Sequence, residues 1–176
     1  MSMPNYIIVP DGIAADKRGR PLQKPSFVYR QVLDYVLDIC RKGDTIYLAP
    51  ANKCGEEHKS EHELGYEYIM SKKELKVFYP TVTSGNYIDT YGNANHLKIY
   101  LQNKIKHLTF DLICANIHSY RAQYCFKKAG FNLNKIHRVS YRIYDERIVR
   151  RWWYYKYKPV HCGYEALSFM RDLLKK

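Results

Sequence analysis

Leu112-Ile113-Cys114-Ala115-Asn116-Ile117-His118-Ser119-Tyr120-Arg121-Ala122 reads as a buried strand that turns directly into a helix. Phe110, Leu112, Ile113 and Cys114 form a short apolar run suited to a parallel strand covered on both faces. Asn116 is placed to cap a helix that starts near Ile117. His118 and Arg121, three residues apart, then share one face of the first turn, where free backbone N–H groups and the helix dipole favour an anion. A titratable imidazole and a fixed guanidinium beside such a site suit a phosphate; the same pair also fits an ordinary surface helix.

Working outward, strands alternate with helices along the whole chain. Tyr6-Ile7-Ile8-Val9 is a first central strand stopped by Pro10-Asp11-Gly12. A polar loop from Asp16 to Pro21 is expected to lie over the sheet edge. Ser26 caps a helix with Val28, Val32, Val36 and Ile39 at helical spacing, ended by Gly43. Thr45 to Ala49 is the second strand. Ser60 caps the next helix, with Glu63 completing a capping box. Lys76 to Tyr79 is the third strand, and Asp89 or Thr90 starts the helix through Ala94, Leu97 and Leu101. Gly130 closes the helix after the opening stretch, and a fifth strand is expected around Ile136 to Ser140.

This order predicts an α/β fold: a three-layer sandwich with a mostly parallel, Rossmann-like sheet of about five strands and a helical C-terminal extension. At 176 residues the chain is expected to form a single domain, 1–176, with its core at 5–140 and an aromatic-basic extension at 141–176. Charged residues are 26% and apolar residues 46%, which fits a globular chain rather than a disordered one. The net charge of +12 calls for an acidic counterpart: nucleic acid, nucleotide, phosphorylated sugar or anionic membrane. No leader-like segment and no apolar run of membrane-spanning length is seen, so a soluble, cytoplasmic protein is expected. The five cysteines are odd in number and lack paired Cys-x-x-Cys spacing, which suggests neither a disulfide framework nor a zinc site.

In an open parallel sheet, ligands bind outside the carboxyl ends of the strands. Four loops reach that crevice. They bring Asp11 and Gly12; Asn52 and Lys53; Ser84, Gly85 and Thr90; and Asn116, His118 and Arg121. No G-x-G-x-x-G follows the first strand, which disfavours a tightly bound NAD or FAD; there is also no P-loop and no G-x-S-x-G elbow. His58 and His62 lie among Glu57, Glu61 and Glu63, but the cap at Ser60 keeps both histidines off one helix face. A polar helix start is therefore the expected reading there, with no metal.

The segment from Arg138 to Lys158 interleaves basic residues with Tyr141, Tyr144, Trp152, Trp153, Tyr154, Tyr155 and Tyr157. Read as a helix, Tyr144, Ile148 and Trp152 line one face, and Pro159 stops it. A last helix, Tyr164 to Leu174, carries Leu167, Met170, Leu173 and Leu174. Docking of the tryptophans on the sheet is the favoured reading. Base stacking on single-stranded nucleic acid, or a peripheral membrane face, are the alternatives.

Three motifs together resemble the YdcF, SanA and ElyC proteins, a bacterial family of a domain of unknown function. A Ser-Glu after the second strand is matched by Ser60-Glu61. A Thr-x-x-Asn-Ala helix start is matched by Thr90, Asn93 and Ala94, and a strand, small turn, His and Arg-Ala by His118, Arg121 and Ala122. The resemblance spans most of the chain and implies a Rossmann-like fold. It also implies a role in envelope or surface-polysaccharide metabolism, and S-adenosylmethionine or nucleotide binding in some members. Pro10-Asp11-Gly12 stands where the family has a Gly-rich turn, and Ala49 to Gly55 where it has Ser-Gly-Gly. Fewer glycines change how closely the backbone approaches a phosphate.

The expected function is an enzyme, a phosphate-ester hydrolase or transferase, acting on a nucleotide, nucleotide-sugar or lipid-linked sugar phosphate. Arg121, Lys53 and the N–H groups after Asn116 would hold phosphate oxygens, and Thr90 and Asn93 would orient the ligand. His118 would be general acid or base, with Glu61 or Asp11 as its carboxylate partner. The alternatives are a non-catalytic module binding a nucleotide or S-adenosylmethionine, and an RNA-binding protein using the basic tail.

Overall fold

The computed structural model describes residues 4–81 and 87–174. Its centre is a sheet of five parallel strands: β1 (Asn5–Ile8), β4 (Thr45–Leu48), β5 (Lys76–Phe78), β6 (Phe110–Ala115) and β7 (Leu133–Val139). Their spatial order is β5-β4-β1-β6-β7. Chain order therefore runs outward from β1 through β4 to β5, then restarts on the other side of β1 with β6 and β7. The reversal falls between β1 and β6, where Ile7 pairs with Leu112 and Ile8 with Ile113. That is the switch point at which open α/β sheets leave a crevice.

Both faces of the central strands are apolar. Tyr6, Ile8 and Ile113 pack on one side with Val28, Val32, Leu33 and Val36 of α1 (Phe27–Ile39), and with Leu64 and Ile69 of α2 (Glu61–Met70). Ile7, Val9, Leu112 and Cys114 pack on the other with Leu97 and Leu101 of α3 (Thr90–Leu101), and with Ala122 and Phe126 of α4 (Asn116–Lys128). The result is the three-layer α/β sandwich expected from the alternation of elements. Ser26 caps α1 through the N–H of Tyr29, and Ser60 and Glu63 form the capping box of α2. Gly43 does not end α1: the helix stops at Ile39, and Gly43 turns the chain into β4 with a φ of +107°.

A second, smaller sheet flanks the expected polar loop, which is the turn at residues 16–20. β2 (Ile13–Ala15) pairs antiparallel with β3 (Pro21–Pro25) and with β8 (Arg147–Ile148). The Asp16 carboxylate pins the turn by accepting the N–H groups of Arg18 and Arg20 at 2.8 and 2.9 Å. The signal for β2 was Ile13-Ala14-Ala15, all three of which are buried.

The tail is not the single helix that its spacing suggested. After β8 the chain runs through a 3-10 segment, Arg150–Lys156, with non-helical angles at Trp152, and then α5 (Lys158–Leu174). Pro159 does not stop a helix; it sits in the first turn of α5, where no N–H is required. Trp152, Tyr154 and Tyr155 are buried, so docking is what these rings do, whereas Trp153 and Tyr157 are exposed. Among the described residues no helix is long and apolar enough to cross a membrane.

Candidate functional site

The switch point brings Asp11, at the end of the first strand segment, beside the start of α4. Asp11 is fully buried, and its carboxylate meets three donors. The backbone N–H of Ala115 reaches Oδ2 at 3.2 Å, while Tyr155 Oη donates to Oδ1 at 2.8 Å and His118 Nδ1 lies 2.9 Å from the same oxygen. His118 Nε2 in turn lies 3.0 Å from Oγ1 of Thr90, the first residue of α3. Carboxylate, imidazole and hydroxyl thus stand in line. With Nδ1–H directed to Asp11, the neutral ring leaves Nε2 to accept the Thr90 proton. Burial favours the neutral imidazole, but Glu165 and the hydrogen bond and charge of Asp11 outweigh it, so the His118 pKa is raised above its ordinary 6.5.

Glu61 is not the partner of His118. As the first residue of α2, its carboxylate turns back to accept Gly12 N–H at 2.6 Å, Asn52 N–H at 3.1 Å and Asn52 Nδ2 at 3.3 Å. Burial drives its pKa up to about 7, against these three hydrogen bonds, and the charge of Asp11 adds to the rise. Gly12 accordingly gives its N–H to Glu61. Its φ of +93° and lack of a Cβ also let the Trp152 ring close on it, since an added Cβ would meet that ring at 3.1 Å.

Asn52 links two further segments. Its side chain donates to the carbonyl of Ile88 at 3.0 Å and accepts the Ile88 N–H at 2.9 Å, holding the approach to α3. Asn93 is buried; oriented with its amide nitrogen toward acceptors, it donates to the carbonyls of Asp89 and Pro50, both at 2.9 Å.

Arg121 differs from the expectation that it is free to hold phosphate. Its Nε and one terminal nitrogen form a bidentate pair with Glu165 at 2.6 and 2.9 Å, and the other terminal nitrogen lies 3.5 Å from Asp172. Both carboxylates come from α5. Burial opposes its charge, but Glu165 and Asp172 raise its pKa further above an already high value. The Glu165 carboxyl is held well below the usual range: burial alone would raise it, and His118, His161 and Arg121 more than offset that.

Glu61, Asn52, Thr90, Asn93, His118 and Arg121 line one cavity of about 30 Å³, with Tyr87, Ile88, Trp152, Tyr154 and Tyr155 completing its walls. That volume suits one or two water-sized groups. Asp11 lies behind His118 and is reached through it. Two expected residues stand elsewhere. Lys53 is exposed, and its backbone bridges to Ser60. Asn116 does not cap α4: the residue before the helix is Ala115, which has no capping side chain, and exposed Asn116 lies 3.5 Å from Ser140 Oγ. Ser84 lies outside the described residues. His62 is closed to a metal, because Nδ1 accepts the Ala51 N–H at 3.0 Å and Nε2 faces Ser60 Oγ at 3.2 Å. Burial lowers its pKa to about 4.

Tyr155, Glu165 and Asp172 are the site residues that the sequence reading missed. A signal existed for the last two: His161, Glu165, Ser168 and Asp172 recur at helical spacing and form a polar stripe. Tyr155 had none, because its neighbours are all aromatic or basic. No protein-family model, curated protein or solved structure matches the chain.

Proposed function

We propose that the chain is a phosphate-ester hydrolase or transferase whose reacting groups are Thr90, His118 and Asp11. The observation that carries this reading is the alignment of Thr90 Oγ1, both nitrogens of His118 and Asp11 Oδ1 in one buried line. A hydroxyl, an imidazole and a carboxylate so arranged activate an oxygen nucleophile: the imidazole takes the proton as the oxygen attacks, and the carboxylate holds the resulting imidazolium. Thr90 stands at the N-terminus of α3, where the helix dipole favours negative charge building on a phosphoryl group. Glu61, near 7, is placed on the same wall as a proton source for a leaving oxygen.

The substrate class is supported by charge and by motif. The chain carries a net +12. The three motifs that resemble the YdcF, SanA and ElyC proteins supply Glu61, Thr90, Asn93, His118 and Arg121, all of which face this cavity. A nucleotide-sugar or lipid-linked sugar phosphate of envelope polysaccharide metabolism is the substrate that this resemblance favours. The test is turnover of a panel of phosphomonoesters, phosphodiesters and nucleotide-sugars, with intact-mass detection of a phosphoryl adduct. Activity lost in Thr90→Val and His118→Ala but kept in Thr90→Ser supports the reading; unchanged turnover in His118→Ala overturns it.

One observation favours a second reading, a non-catalytic module for a nucleotide or S-adenosylmethionine. Asp11, Glu61 and Arg121 all have partners within the chain already. This reading expects a ligand-dependent rise in melting temperature with no turnover.

A further inference from the structure

The last helix is packed inside out. The buried residues of α5 are His161, Glu165, Ser168 and Asp172. Four of its large apolar residues face outward, with Leu167 66%, Met170 52%, Leu173 49% and Leu174 84% exposed, while Tyr164 and Phe169 are half-buried. A helix on a globular surface ordinarily shows the reverse. The inward polar stripe has a reason, since Glu165 and Asp172 hold Arg121 and His161 meets Tyr141 Oη at 2.9 Å. The outward apolar stripe has none among the described residues. An exposed apolar patch of this kind marks an interaction surface. It continues into a groove of about 320 Å³ between α4 and α5, walled by Ile117, Tyr120, Ala166 and Phe169.

Charge selects the partner. α4 contains no Asp or Glu, and the two acids of α5 are both turned inward. Exposed Lys127 and Lys158 stand on the two helices, with Arg171, which pairs with Asp89 and Asp172, and Arg138 stacks at 4.9 Å on exposed Tyr120 beside the groove. A second copy of the chain would set basic rim against basic rim. An anionic surface would not.

We propose that this face of α5 docks on an anionic bilayer. The helix lies in the plane of the interface, with Leu167, Met170, Leu173 and Leu174 entering the acyl boundary and the lysines and arginines among the headgroups. This docking does not depend on the phosphoryl chemistry proposed above.

The experiment is co-sedimentation of the full chain with vesicles of phosphatidylcholine mixed with phosphatidylglycerol, against phosphatidylcholine alone, with sedimentation velocity in the absence of lipid. The expected result is a monomer that binds the anionic vesicles, binds them less at high salt, and ignores the neutral ones. Leu167→Glu with Met170→Glu should weaken vesicle binding by roughly tenfold or more without changing circular dichroism. Leu167→Gln with Met170→Gln, which adds no charge, should weaken it in the same direction. No binding by the parent chain, or binding by both double variants equal to that of the parent, overturns the proposal. A dimer that the Gln pair dissolves, with vesicles ignored, assigns the face to a second copy and overturns it as well.

Discussion

His118 Nδ1 and Asp11 Oδ1 meet at 2.9 Å although 107 positions separate the two residues in the chain. Sheet order alone makes this possible, because β1 and β6 are neighbours whose following loops open on one crevice. Asp11→Asn leaves one acceptor oxygen where Ala115 N–H uses Oδ2 and Tyr155 and His118 use Oδ1, and it removes the charge that holds the imidazolium. Turnover should fall by about 10²–10⁴-fold. An NMR titration of the His118 ring should show its pKa moving down; a ring that titrates unchanged would mean that Asp11 does not set its charge.

Removing one partner of the Arg121–Glu165 pair leaves a buried charge uncompensated. Arg121→Leu and Glu165→Leu should each cost about 3–5 kcal/mol of stability, and the double variant should recover much of it. Urea denaturation of the four proteins reads this cycle. Additive losses in the double variant would show that the two side chains do not act as a pair.

Stability should depend on pH through Glu61. Its folded pKa of about 7 lies above the ordinary 4.5, so the folded chain keeps a proton that the unfolded chain has released. The contribution is complete below 4.5 and is lost as pH rises to about 7, amounting to about 3 kcal/mol. His118, also raised, acts in the same direction: its share is present below 6.5 and lost as pH climbs through the folded value. His62, lowered to about 4, acts the other way up to pH 6.5, so between about pH 5 and about pH 8 the melting temperature of the parent chain should shift downward with pH relative to that of Glu61→Gln. Equal slopes would place the titration elsewhere.

Gly65 of α2 faces the hydroxyl of Tyr29, which is buried with no hydrogen-bond partner among the described residues, and a Cβ at Gly65 would clash with that oxygen. Gly65→Ala should therefore destabilise by about 1–3 kcal/mol despite the better helix propensity of alanine. Tyr29→Phe removes an unpartnered hydroxyl and should be neutral or stabilising. Combined with Gly65→Ala it should recover part of the loss, which thermal melts of the three variants would report.

Periodicity and capping residues reveal the sandwich because they are local. Ser26, Ser60 and Glu63 carry their own partners within three residues, and Ile7 and Leu112 belong to runs apolar enough to require cover on both sides. The crevice was legible for the same reason, since Asp11, Glu61, Thr90 and His118 each follow a strand or open a helix. What could not be read locally was pairing. Arg121 looks free in sequence because Glu165 and Asp172 lie 44 and 51 positions away. The tail misled through its rings: Trp152 and Tyr155 turn inward by the angles of a 3-10 segment, which a 3.6-residue period does not describe.

Asp11 leaves the ribosome 144 residues before the hydroxyl that it binds. While the chain is being made, this carboxylate stays in contact with water, because its burial requires β6, α4 and the 3-10 segment to be in place. The crevice is consequently assembled only when the segment from β6 to the 3-10 turn closes over a group laid down about a hundred residues before it. A nascent chain halted before Tyr155 would carry most of the sheet and none of the relay's closing wall.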